Sequence, residues 1–417
     1  MPGPFEGLRV LEFGRFIAAP YCGQLLADGG ADVIKVEPLD GDETRRNGAI
    51  IPGEGRQFLN KNRGKRSLAV DLGDPQVNGY IRKLAAGCDI IVANFRPGQA
   101  ARLGLDYDQL SAENPRLIFA ENTAYGRHGP MADAPGMDIV VAGYSGLITV
   151  SENGPLPLPE PIIDYTAGIL LAWGISTALY TRERTGRGRR LDVALLQAAL
   201  VLQNNHMNHV DVIDEWRHEF AAYLKDAFAN GATWAEVLAK RDELQPHAPL
   251  EVYYGFLRTG DGVMSVAAMA RPLRLKMMEI VGFEDRWTRE PGWEPEDART
   301  YTARLKAAVE AILRTKPTSY WVAKLSAAGI PCGPMRLRET LLDDEQVLAN
   351  GFVTRLEHET LGGVTVVSPP VRFSDTPLAV TGASPPLGNA TAAILAEAGA
   401  SPADLAAMDR RGAIRLG

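Results

Sequence analysis

Cysteine is scarce in this chain. Cys22, Cys88 and Cys332 are far apart and never form a CxxC pair. That excludes a disulfide framework and a thiolate zinc site, and it suits a reducing compartment, so a cytoplasmic location is expected. No run of eighteen uninterrupted apolar residues occurs, so no membrane span is expected. The opening residues, MPGPFEGLRV, lack a basic stretch ahead of an apolar one, so no secretory signal is read there. The first strand-to-helix turn, EFGRFIAAPYCGQLLADGG (12–30), is neither GxGxxG nor a P-loop, which argues against a nicotinamide dinucleotide or a nucleoside triphosphate. GYSGL (143–147) is not GxSxG, so the hydrolase elbow is missing as well. Positive charge is not in excess: the net charge is -7, and nucleic acid is not an expected partner. His206, His209 and Asp211 have a spacing that suits a metal, but no further acid or thiol joins them, and no metal is expected.

What is present is a globular composition, 46% hydrophobic against 23% charged, in 417 residues, too long for a single core. Short runs rich in Val, Ile and Leu occur at 8–13, 32–37, 67–72, 89–94 and 117–122, as in buried parallel strands. Helix-like segments at 20–30 and 75–88 lie between some of them, and glycines close both. The alternation predicts a doubly wound, Rossmann-like parallel sheet, with ligands beyond the carboxyl ends of its strands. Residues 164–182 read as a long buried helix opened by Asp164, and 189–205 as strand, helix or both. The expected domains are a large α/β domain over 1–205, a helical linker arm over 206–249, a smaller α+β domain over 250–330, and a C-terminal return to the large domain over 331–417. In the small domain TGDG (259–262) marks a hairpin.

Four strings carry the chemistry. Ala18, Ala19 and Pro20 would let a ligand approach a helix start, or simply pack a helix on a strand. NKNRGKRS (60–67) concentrates Lys61, Arg63, Lys65 and Arg66, either for phosphate or as a solvated loop. ANFRPG (93–98) ends a strand where such sheets bind ligands: Asn94 can bond a base or an amide, Phe95 can stack and Arg96 can meet a phosphate. In PEPIIDYTAG (159–168) an aspartate stands at a helix start. It is either an N-cap or a carboxylate aimed at a substrate, with the helix dipole favouring its ionised form.

Taken in order, LRVLEFGRFIAAP, LADGGADVIKVEPLDGDETR, FLNKNRGKRSLAVDL, CDIIVANFRPG, GMDIVVAGYSGL, DYTAGILLAWGISTALYTRERTGRGRRLDVAL, GIPCGPM and SPPLGNATAAIL resemble the family III CoA-transferases, the CaiB–BaiF family. The resemblance implies a homodimer of interlocked rings acting on acyl-CoA and small carboxylic acids. It implies Asp164 as the catalytic residue. It places coenzyme A along Phe16, Ile17, Ala18, Val70, Asn94, Phe95, Arg96 and Arg102, with Leu195 nearby. The chain departs from the family at Pro38 and Gly73, where some members carry basic side chains for the nucleotide. Arg45, Arg46, Lys61, Arg63 or Lys65 are the expected substitutes.

The expected reaction is CoA transfer through an aspartyl anhydride and an aspartyl-CoA thioester, with backbone N–H groups at the helix start holding the oxyanion. The rivals are an α-methylacyl-CoA racemase and a non-catalytic CoA-binding protein. Racemisation needs a base on each face of the carbon. The family's racemases carry a histidine in a GHD motif, and here the string is Gly136-Met137-Asp138.

Overall fold

Strands separated by helices build the larger of two units in the computed structural model, which describes residues 3–51, 54–151, 153–245 and 249–417. Contacts gather residues 1–210 and 345–417 into one unit and 211–344 into the other.

In the first unit β1 (Arg9–Phe13), β2 (Asp32–Glu37), β3 (Arg66–Val70), β4 (Ile90–Ala93), β5 (Ile118–Thr123) and β6 (Arg189–Ala194) pair in parallel. Both faces of the central strands are covered, which is why β1, β2 and β4 read as continuous apolar runs. Helices α1 (Ala18–Asp28) and α2 (Pro75–Ala86) fall where the sequence placed them. The Asp74 side chain accepts the N–H groups of Gln76 and Val77 and Pro75 opens the first turn of α2, while Gly29 and Gly87 close the two helices. Further along lie α3 (Asp138–Tyr144), α4 (Ile162–Thr185) and α5 (Leu195–Leu202). The segment 189–205 is therefore strand and then helix.

Helix α4 starts at Ile162, two residues before the expected position, with Pro161 as its N-cap. Asp164 lies inside the first turn and caps nothing. Helix α4 packs on α1, β5 and β6. Gly168 allows the contact with α1: a Cβ there would sit 2.8 Å from the Ala18 carbonyl oxygen. By length and composition α4 is apolar enough to cross a membrane. Here one side of it is packed, and the other leaves Ile169, Trp173 and Tyr180 exposed.

The second unit contains α6 (Glu215–Ala227), α7 (Trp234–Leu244), β7 (Tyr254–Arg258), β8 (Val263–Ala267), α8 (Arg271–Val281), α9 (Ala298–Leu313), α10 (Thr318–Ala327) and β9 (Cys332–Pro334). Its core joins Tyr253, Leu257, Met264, Met277, Val309 and Trp321. The sequence reading put breaks near 205 and 330, whereas the contact units break after 210 and 344. Residues 332–334 pair with β8 as the third strand of an antiparallel sheet, so GIPCGPM completes this unit instead of leaving it. Most of the expected arm belongs here too; its residues 246–248 lie outside the described ones.

The chain then re-enters the first unit through β10 (Val353–His358), β11 (Gly362–Val367), α11 (Thr391–Glu397), α12 (Pro402–Arg410) and β12 (Ile414–Arg415). The sheet order is β6–β5–β4–β1–β2–β3–β12, and only β12 runs antiparallel. Ile394, Leu395, Met408 and Ile414 join the core around Leu68, Val70 and Ile81. Asn389 has a definite task in this return, because its Oδ1 accepts the Ser67 N–H at 3.1 Å.

Candidate active site

A cavity of about 1140 Å³ runs along the carboxyl ends of β1 to β5, where an open α/β sheet places its ligand. Seven of the ten expected site residues line it: Phe16, Val70, Asn94, Phe95, Arg96, Asp164 and Leu195.

The loop after β1 forms one wall, and its shape is held by force. Phe16 has φ 65°, the only non-glycine residue with positive φ among the described residues. Such a conformation persists only where its surroundings fix it. Asn94 does so: its Oδ1 accepts the Arg15 N–H at 3.0 Å and its Nδ2 donates to the Arg15 carbonyl at 2.9 Å. The sequence reading gave the Asn94 amide to the ligand; the structure spends it on this loop. Phe95 lies against Phe13, ring centroids 5.0 Å apart. Arg96 is exposed, and no carboxylate pairs with it among the described residues.

Three expected residues are not on the cavity wall. Ile17 and Ala18 are buried, and Ala18 packs with Ile163, Ala167 and Leu195 where α4 crosses the start of α1. Arg102 is exposed on the short helix Gln99–Leu103.

Asp164 is 9% exposed yet lines the cavity, so its carboxylate is desolvated and reachable. Burial, helped by the nearby Asp138 carboxylate and opposed by Lys61, pushes its pKa up to about 7. Burial and a like charge thus outweigh the helix dipole, which the sequence reading expected to favour ionisation. Lys61 is itself buried, which lowers its proton affinity against the pull of Glu160 and Asp164.

Asp138 was missed as a site residue. It opens α3, and its Oδ2 accepts the backbone N–H of Asp164 at 3.0 Å, with the Ile163 N–H also bonded to it. This carboxylate from a neighbouring helix supplies the cap that Pro161 cannot. It also overturns one expectation: the N–H of Asp164 is taken by Asp138 and that of Tyr165 by the Pro161 carbonyl, so neither is free for an oxyanion. Only the GMD string (136–138) hints at Asp138 in the sequence.

The basic cluster is also reassigned. Arg63 pairs with Asp28, Lys65 with Glu12 at 2.6 Å, and Arg45 with Glu37 at 2.8 Å, all buried. Arg66 pairs with Asp32 and Glu397, Arg46 with Asp40. These ion pairs tie loops to the sheet, and Lys61, Arg63, Lys65 and Arg45 do not line the cavity. The arginines that do are Arg15, Arg96, Arg127 and Arg190. Arg15 pairs with Glu43, while Arg190 and Arg127 flank Glu121. Among the described residues no group of three His, Cys, Asp or Glu side chains converges as a metal site.

The family model for CoA-transferase family III matches residues 5–391. The chain is 32% identical to a probable fatty acyl-CoA transferase, Rv3272, of Mycobacterium tuberculosis, over 94% of this chain and 98% of that protein. It is 31% identical to a succinate–glutarate CoA-transferase of Agrobacterium fabrum, over 94% and 95%. Among solved structures, a CaiB/BaiF family protein from Brucella suis superposes with a TM-score of 0.73 at 30% identity, over 95% of this chain and all of that one (100%). A cavity at the sheet's carboxyl edge, a desolvated aspartate on its wall and a family match across nearly the whole chain agree: this chain is an enzyme of CoA-transferase family III.

Proposed function

We propose that this enzyme moves CoA from an acyl-CoA thioester to a small carboxylic acid, with the Asp164 carboxylate as nucleophile. One observation carries the reading: the buried Asp164 carboxylate, with raised proton affinity, opens onto the cavity. A carboxylate of raised basicity is a stronger nucleophile once ionised, and its pKa near 7 keeps that form populated at neutral pH.

An Asp164 oxygen attacks the thioester carbonyl; the C–S bond breaks, giving a mixed anhydride and CoA thiolate. The thiolate attacks the Asp164 carbonyl carbon of the anhydride, forming aspartyl-CoA and releasing the donor acid as its carboxylate. The acceptor carboxylate attacks aspartyl-CoA, expelling thiolate and forming a second anhydride. The thiolate then attacks the acceptor's carbonyl, which leaves as the new thioester and restores the Asp164 carboxylate. No net proton is consumed. The nucleotide stays anchored while acids exchange, so its binding energy positions the sulfur throughout. Phe16, Val70, Asn94, Phe95, Arg96 and Leu195 are assigned to the CoA channel because they line the same cavity as Asp164.

Racemisation finds no support at the position of its second base, where Met137 lines the cavity without a transferable proton. A homodimer is part of the proposal. The exposed Ile169, Trp173 and Tyr180 of α4, with Ile139 and Tyr144 of α3, form apolar surface of the kind a partner subunit buries. Cys22, Cys88 and Cys332 are free thiols, which suits a cytoplasmic enzyme.

The test is a matrix of acyl-CoA donors against acids, read by mass spectrometry, with succinate and glutarate first because the Agrobacterium relative is named for them. Transfer in at least one pair that disappears in Asp164→Asn is expected. Full transfer by Asp164→Asn would overturn the proposal.

A further inference from the structure

The CoA nucleotide is polyanionic, yet the cavity offers it little free positive charge. Three of the four lining arginines are already committed to Glu43 or Glu121, and Arg96 alone is not. The rim formed by Pro38–Asp40 and Val70–Gly73, at the ends of β2 and β3, has no lining cation of its own. Its acids are Asp40, paired with Arg46, and Asp71, whose Oδ1 accepts the Gly73 N–H.

This rim is remote from the chemistry. Four strand spacings separate β5 from β3, about 19 Å at ~4.8 Å each, and Asp164 sits on the helix that packs over β5 and β6. A ligand with its sulfur at Asp164 therefore extends its nucleotide toward β2 and β3.

The last strand brings a cation to that place. In β12, Ile414 pairs with Val70 and Arg415 with Ala69. The Asp71 N–H bonds the Ala413 carbonyl at 2.9 Å, and the Gly417 N–H bonds the Gly388 carbonyl at 3.1 Å, so the strand is held on both sides. The Arg415 side chain is exposed and reaches across to the Leu39 carbonyl, Nη1 to oxygen 3.3 Å, on the cavity rim. No carboxylate pairs with it among the described residues. The neighbouring Arg411, by contrast, is spent on Asp74.

We infer that Arg415 is a phosphate-binding residue for the nucleotide of CoA, so that the C-terminal strand completes the substrate site at the rim where Pro38 and Gly73 offer no charge. A guanidinium with one weak backbone contact exchanges it for charge-assisted bonds to a phosphate at little cost. The inference rests on the CoA reading above.

The experiment compares wild type, Arg415→Gln and Arg415→Lys with three forms of one acyl donor: the CoA thioester, the 3′-dephospho-CoA thioester and the pantetheine thioester. Arg415→Gln should raise KM for the CoA thioester by about tenfold or more, leave kcat and the thermal midpoint nearly unchanged, and leave the pantetheine thioester unaffected; Arg415→Lys should recover much of the loss. A loss confined to CoA assigns the 3′-phosphate, and a loss shared with dephospho-CoA assigns the diphosphate. An unchanged KM for the CoA thioester, or an equal loss with the pantetheine thioester, would overturn the inference. A wild type that turns over no CoA thioester would instead overturn the CoA reading itself.

Discussion

Asp164 makes the enzyme less stable in order to make it reactive, and the size of that conflict follows from its surroundings. In the folded chain burial and Asp138 push its pKa to about 7, against ~3.9 in an unfolded chain. Below pH ~4 both states carry the proton and the residue costs nothing. Between pH ~4 and ~7 the unfolded chain ionises first, so stability falls as pH rises. Above ~7 both states are ionised and the loss is constant. A tenfold change in proton affinity is worth about 1.4 kcal/mol, which makes the full loss on the order of 4 kcal/mol. Asp164→Asn is neutral at every pH and escapes it. Urea unfolding of both proteins from pH 4 to pH 8 should show the variant gaining on wild type as pH rises, by roughly 2–4 kcal/mol over the range, with no transferase activity at any pH. A stability difference independent of pH, or one that moves the other way, would refute the raised proton affinity.

Other outcomes follow from the same geometry. The acid limb of kcat/KM should fall tenfold per pH unit below an inflection near 7, because the nucleophile must be ionised. Asp138→Asn removes a neighbouring negative charge while an amide oxygen still accepts the Asp164 N–H, so that inflection should move to lower pH; an unmoved inflection would exclude electrostatic coupling. Asp138→Ala also loses the cap and should cost about 1 kcal/mol of stability in denaturant melts. Gly168→Ala drives a Cβ against the Ala18 carbonyl and should destabilise by about 1–3 kcal/mol, also read by melts. Asn94→Ala frees the strained Phe16 loop and should raise KM for acyl-CoA more than it lowers kcat.

The sheet was legible because its strands are buried on both faces: DVIKVE, IIVA and RVLEF need only their own residues to announce themselves. The antiparallel β12 was not, since two residues, Ile414 and Arg415, carry no periodic signal. Asp164 was found, but its setting was not. Its cap lies 26 residues earlier on another helix, a pairing that no local pattern encodes. NKNRGKRS was misjudged for the same reason. Its cations meet Glu12 and Asp28, which lie 53 and 35 residues away from Lys65 and Arg63, and a charge run shows nothing of distant partners. Ile17 and Ala18 sit in the right loop, yet both are buried off the cavity wall, and Ala18 packs against α4, a direction fixed by tertiary packing.

Covalent loading of Asp164 is the most direct measurement of all. Enzyme incubated with an acyl-CoA and no acceptor, quenched with hydroxylamine and digested, should yield a hydroxamate on the peptide bearing Asp164 and on no other. An unmodified peptide, from enzyme that transfers CoA at full rate once an acceptor acid is added, would contradict the assignment of the nucleophile.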